Sequence, residues 1–220
     1  MSKVALHPPK IKICGLTQVE NAIEVASAGV DAIGLVFYQP SPRFVDISIA
    51  SEIVRNLPPF VDSVALFVNA TKDEIQRVID TVRPGTLQFH GDEGPDFCAS
   101  FGLPYLKSLG VTQEIDLIEY GLTYSSACGL LLDAPATDVR GGSGRTFDWQ
   151  LIPDNISKPI VLAGGLDVAN VGSAMQAVKP WAVDVSSGVE SNQKGYKDIG
   201  LVGQFVKEVK DADARRVSNL

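Results

Sequence analysis

Eight short apolar runs, alternating with amphipathic segments, constrain the fold of this chain more than any other feature of its sequence. They fall at residues 11–14, 32–37, 63–68, 86–89, 105–106, 130–133, 159–163 and 182–185, and the fifth is the weakest. They are continuous rather than alternating, the pattern of strands covered on both faces. Between them, Val19, Ala22, Ile23 and Ala26 form a helical stripe behind the capping box Thr17-Gln-Val-Glu20. Thr71-Lys-Asp-Glu74 repeats the device ahead of Ile75, Val78, Ile79 and Val82. Further stripes run through Ile49, Ile53, Val54 and Leu57, through Val168, Val171, Ala174 and Val178, and through Ile199, Val202, Phe205, Val206 and Val209. The segments after the fifth and sixth runs are less clear, and 145–152 has room for only a short helix.

Strands and helices in strict alternation imply right-handed βαβ units and a parallel sheet. Eight units in 220 residues fit a single α/β domain, a (β/α)8 TIM barrel, near its lower size limit of ~200 residues. An open doubly wound sheet is the rival; the barrel is preferred because eight parallel strands close more economically than they flatten. The barrel is expected over 1–220, with an irregular segment at 1–9 and a polar tail at 211–220.

Composition narrows the function. With 19 basic against 26 acidic residues, the formal net charge is −7, which argues against a nucleic-acid partner. No stretch reaches the ~20 apolar residues of a membrane helix. His7-Pro8-Pro9 interrupts the N-terminal apolar stretch, so it does not read as a signal peptide. Three cysteines without close spacing, Cys14, Cys98 and Cys128, fit a reducing cytoplasm better than a disulfide framework. With only two histidines and no ligand spacing, no metal site is expected.

In a barrel the chemistry belongs at the carboxyl ends of the strands. Cys14 ends the first run, three residues before the Thr17 cap, where helix-end potential would favour the thiolate; the alternative is a structural buried thiol. Asp133 ends three leucines, so burial would favour its neutral form and suit a general acid, unless it only caps the next loop. The loop Arg140-Gly-Gly142-Ser143-Gly144-Arg145 reads alone as a flexible connection. Beside it, however, Gly164-Gly165 ends the seventh run, ahead of the expected N-cap Asp167, and Ser186-Ser187-Gly188 ends the eighth. Loops seven and eight are where barrels commonly hold phosphate. Arg43 offers a planar fork to a carboxylate or is a solvated loop residue. His90 either bonds a ligand or satisfies its own loop, and Asp184 either orients neighbours or accepts a ligand hydroxyl. Cys98 and Cys128 are expected to pack.

In order, Lys10-Ile-Lys-Ile-Cys-Gly-Leu-Thr17, Gly34-Leu-Val-Phe37 with Ser41-Pro-Arg43, Val64-Ala-Leu-Phe-Val68 and Leu87-Gln-Phe-His-Gly91 resemble the phosphoribosylanthranilate isomerase family of tryptophan biosynthesis. The resemblance continues through Leu131-Leu-Asp-Ala134 with Gly141-Gly-Ser-Gly-Arg-Thr-Phe-Asp-Trp149, Leu162-Ala-Gly-Gly-Leu166, Val183-Asp-Val-Ser-Ser-Gly-Val-Glu190, Lys194-Gly195 and Lys197-Asp198. It spans roughly 10–210. It implies a cofactor-free Amadori rearrangement of N-(5-phospho-β-D-ribosyl)anthranilate to 1-(2-carboxyphenylamino)-1-deoxy-D-ribulose 5-phosphate. By resemblance Asp133 is the general acid that opens the furanose and Cys14 the base that takes the C2′ proton. Arg43 is the anthranilate-carboxylate partner, with His90 and Asp184 also at the substrate. The phosphate cradle is Gly142, Ser143, Gly144, Gly164, Gly165, Ser186, Ser187 and Gly188. The expected partner is the small phosphoribosyl substrate, and the expected assembly a monomer or weak homodimer.

Other readings differ in chemistry. The histidine-pathway aminoimidazole ribonucleotide isomerase, by resemblance, has Asp where this chain has Cys14. A pentose-phosphate epimerase wants metal-binding histidines. A silent phosphate-binding scaffold would bind phosphoribosyl ligands without turnover.

Overall fold

The computed structural model describes residues 7–135 and 146–218. Eight strands follow one another around a closed parallel barrel: β1 (Lys10–Cys14), β2 (Ala32–Val36), β3 (Asp62–Phe67), β4 (Thr86–Phe89), β5 (Tyr105–Gly110), β6 (Gly129–Asp133), β7 (Ile160–Leu162) and β8 (Ala182–Val185). The first strand closes on the last, with Lys12 in register with Asp184 and Ile13 with Val185. The helices are α1 (Val19–Ser27), α2 (Ile47–Arg55), α3 (Lys72–Val82), α4 (Pro95–Ala99), α5 (Leu117–Thr123), α6 (Val171–Val178) and α7 (Ile199–Ser218). A 3-10 turn, Trp149–Leu151, lies between β6 and β7 where only a short helix had room. Among the described residues no helix is long and apolar enough to cross a membrane.

Strand residues alternate between the helix layer and the barrel interior. Ile11 and Ile13 of β1 join the main core with Ala22 and Val25 of α1 and Ile33 and Leu35 of β2. Lys12 and Cys14 occupy the intervening positions and are also buried. Cys14 packs in a separate small cluster with Val36 and Leu66. β5 extends four residues beyond the weak apolar signal, through Lys107 and Ser108, both buried. Lys107 is tolerated there because its ammonium meets Glu93 at 3.1 Å and donates to the Gly91 carbonyl at 2.6 Å.

Three local expectations change. Only the second capping box forms: Thr71 accepts from the Glu74 amide, and the Glu74 carboxylate accepts from the Thr71 amide. Thr17 instead donates to the Gly195 carbonyl at 3.0 Å, and α1 starts one residue later, with Gln18 at its N-cap. Likewise Asp167 does not cap α6, whose N-cap is Asn170. Its carboxylate accepts from the Ala169 and Asn170 amides in the preceding turn. The polar segment from 211 continues α7 as far as Ser218.

Candidate active site

Cys14 is the last residue of β1 and Asp133 the last residue of β6. Both line one cavity of about 60 Å³ at the carboxyl ends of the strands, together with Arg43, Gln88, His90 and Asp184. Ser186, just beyond β8, completes the wall and donates from its hydroxyl to the Cys14 carbonyl at 2.9 Å. Gly34 of β2 makes space for the thiol: a Cβ there would lie 2.6 Å from Cys14 Sγ. Gly164, at φ +81°, performs the same service for Asp133, since a Cβ would come within 3.1 Å of Oδ1.

The carboxyl of Asp133 is pushed up to about 6 by burial, against the pull of the Ala134 amide that donates to Oδ1 at 2.7 Å. His90 Nε2 stands 3.6 Å from Asp133 Oδ2, and Gln88 Nε2 is 3.0 Å from His90 Nδ1. A neutral ring that accepts the Gln88 amide at Nδ1 carries its proton on Nε2, facing Asp133. The His90 backbone is fixed from both sides, because Lys107 Nζ donates to the carbonyls of its neighbours Phe89 (3.3 Å) and Gly91 (2.6 Å).

Cys14 departs from expectation. Burial pushes its thiol above the ordinary value, and the Lys12 ammonium offsets only part of that. The helix-end argument fails because α1 begins five residues downstream, beyond the first-turn range of helix-end potential. Lys12 itself lies two residues before Cys14 on the same face of β1 and forms a buried ion pair with Asp184 at 2.9 Å. Burial alone would lower the Lys12 ammonium, but Asp184 and Cys14 outweigh it and hold it charged.

Arg43 reaches the cavity with its fork already engaged. Nε and Nη2 meet the two oxygens of Glu190 at 2.7 and 2.8 Å, so it is no solvated loop arginine. Glu190 also accepts from Lys197 Nζ at 3.1 Å and from the Gly195 amide at 2.9 Å. Burial works against the Glu190 carboxylate, but Arg43 and Lys197 overcome it and hold the group at about 2. Burial brings Lys197 down to about 8, despite Glu190.

The expected phosphate loops are only partly within view. Gly142, Ser143 and Gly144 lie outside the described residues. The loops after β7 and β8 are joined by a bridge between Asp167 and Gly188. Among the described residues of these loops only Ser186 lines the Cys14 cavity. Lys12, Gln88, Glu190 and Lys197 went unassigned from sequence, although Lys12 and Gln88 stood as polar residues inside apolar runs, a pattern that marks the barrel interior.

The family profile described as N-(5'phosphoribosyl)anthranilate (PRA) isomerase matches residues 11–208. An N-(5'-phosphoribosyl)anthranilate isomerase from Pseudomonas aeruginosa is 53% identical over 201 residues, covering 91% of this chain and 95% of the relative. The crystal structure of phosphoribosyl anthranilate isomerase from Thermotoga maritima superimposes with a TM-score of 0.84 at 38% identity, over 92% of this chain and 99% of the other. A further structure of such an isomerase, in complex with reduced 1-(o-carboxyphenylamino)-1-deoxyribulose 5-phosphate, gives 0.81 at 37% identity over the same shares.

Proposed function

The chain belongs to the N-(5'-phosphoribosyl)anthranilate isomerase family and is an isomerase of tryptophan biosynthesis; from that premise we propose that Cys14 and Asp133 are its two proton-transfer groups. One observation carries the assignment: a thiol and a carboxyl raised by burial to about 6, from strands on different sides of the barrel, line the same cavity. The substrate is N-(5'-phosphoribosyl)anthranilate, in line with the ribulose phosphate derivative held by the related isomerase.

Protonated Asp133 gives its proton to the furanose ring oxygen. The C1′–O bond breaks as the anthranilate nitrogen lone pair forms the iminium. Cys14, as thiolate, removes the C2′ proton, and the electron pair of that C–H bond neutralises the iminium to an enolamine. Protonation at C1′ and loss of the enol proton yield the ketone, so the reaction is proton-neutral overall. His90 stands where it stabilises the carboxylate left behind on Asp133. Arg43 keeps one guanidinium nitrogen beyond its Glu190 fork for the anthranilate carboxylate. Ser186, Ser187 and Gly188, with Gly164 and Gly165 and the Gly142–Gly144 loop, are read as the phosphate cradle.

Removal of either proton handler tests this. Cys14→Ala and Asp133→Asn should each lower turnover by about 10²–10⁴-fold, the usual worth of one such transfer. Affinity for the reduced product analogue should stay near that of the wild type. The assay follows the loss of anthranilate-type fluorescence; near-normal turnover in either variant removes that residue from its role.

A further inference from the structure

The Cys14 thiol is surrounded by more buried charge than the reaction alone explains. Lys12, on the same face of β1, pairs with Asp184 of β8 at 2.9 Å. Beyond β8, Lys197 pairs with Glu190 at 3.1 Å, and Arg43, from the loop after β2, pairs with the same carboxylate at 2.7 Å. The side chains of all five are at most 9% exposed. Among the described residues three cations thus face two anions, and burial makes the imbalance costly. Two further groups close the ring, Asp133 from β6 and His90 from the turn after β4.

We propose that Lys12 is a positioning residue that readies Cys14 to ionise, with Asp184 as the counter-charge that limits it. The buried array accommodates one more negative charge, carried either by the Asp133 carboxylate or by the Cys14 sulfur. A proton moved from Cys14 to Asp133 therefore leaves the total charge of the barrel interior unchanged. Lys12 is the cation that shares the interior face of β1 with the sulfur, two residues away. It cannot turn away, because Asp184 holds it from the neighbouring strand in register. The inference rests on the reading of Cys14 as the base, but its test requires no turnover.

Alkylation of Cys14 by iodoacetamide in the free enzyme, quantified by peptide mass spectrometry, separates it from Cys98 and Cys128 and reports the thiolate fraction at each pH. Lys12→Met should slow alkylation at a fixed pH by about tenfold or more, and Asp184→Asn should accelerate it by about tenfold. These opposite signs are not produced by a general loosening of the site, which would move both rates upward. The double variant Lys12→Met/Asp184→Asn removes both charges together and should return toward the wild-type rate. An unchanged rate in Lys12→Met, or shifts of the same sign in both single variants, overturns the proposal. If Lys12→Met does not fold, an unaltered rate in Asp184→Asn does so. Coupling observed alongside an active Cys14→Ala would remove Cys14 as the base and keep the electrostatics. An immobile rate alongside an inactive Cys14→Ala would remove the coupling alone.

Discussion

Burial acts on Asp133 and Cys14 in the same direction, but only Asp133 benefits. The carboxyl, at about 6, keeps a substantial acid fraction near neutrality, whereas the thiol is driven away from its reactive form. The arrangement that the proposed mechanism requires, Asp133 protonated and Cys14 ionised, is therefore a minor tautomer of the dominant one, Asp133 ionised and the thiol protonated. Both hold the same number of protons, so they rise and fall together with pH. The pH profile of kcat/KM should accordingly be bell-shaped, with an acid limb near 6 and an alkaline limb above the ordinary thiol value. Steady-state rates measured from acid to alkaline pH check this; a flat acid side removes Asp133 from the titration. At this scale the sequence singled out the two groups proposed to move protons but gave no sign of their partners. Cys14 and Asp133 stood out because each ends an apolar run. Glu190 did not announce itself as the partner of Arg43, because the two are 147 positions apart. Lys12 was hidden among isoleucines, where a lysine says nothing about the carboxylate waiting on β8.

Among elements, legibility followed how far apolar continuity alone specified a strand. Seven runs stood close to the strands that formed. β5 was cut short because Lys107 and Ser108 interrupt its hydrophobic signal, and only tertiary contacts with Glu93 and neighbouring carbonyls make a lysine acceptable there. The capping boxes show the same dependence, since Thr17 abandons its own helix for the carbonyl of Gly195. That bond ties the β1 loop to the loop beyond β8, a connection of greater use at an active site than a conventional cap. The approach of β2 to β1 at Gly34 gives a prediction at this level. Gly34→Ala would place a methyl 2.6 Å from Cys14 Sγ, with the Cys14 backbone at 3.0 Å leaving little room to retreat. The thiol must then shift, and kcat/KM should fall by about 10²-fold, the usual cost of misplacing a reacting group by about an ångström. Steady-state kinetics beside a thermal melt would separate this from simple unfolding; unaltered kcat/KM would show that the thiol has freedom not evident in its packing.

Across the whole molecule, closure of the ring depends on polar as well as apolar contacts. Glu190 binds the loop after β8 to that after β2 through Arg43, and also holds Lys197. Its carboxyl lies at about 2 in the folded protein against an ordinary 4.5. Its contribution is therefore complete above the ordinary value and is lost as pH falls through about 2. Glu190→Gln leaves two buried cations without their shared anion and should cost about 3–5 kcal/mol at neutral pH. Urea unfolding should show that deficit shrinking as the pH is lowered toward the folded-state value; a variant as stable as the wild type at neutral pH would mean that the cations find other partners. The rhythm of runs made the closed sheet readable in advance, because eight two-sided strands admit few other arrangements. The charge array was not readable, since it forms only once both ends of the sheet meet. The meeting of β1 with β8 also sets a timetable for biosynthesis. A nascent chain on the ribosome that stops short of β8 already carries its thiol and Lys12, but neither Asp184 nor Glu190 nor Lys197 has yet been made. With the proposed proton handlers and their counter-charges divided in this way, catalysis can begin only after β8 and the loop beyond it have been translated and seated.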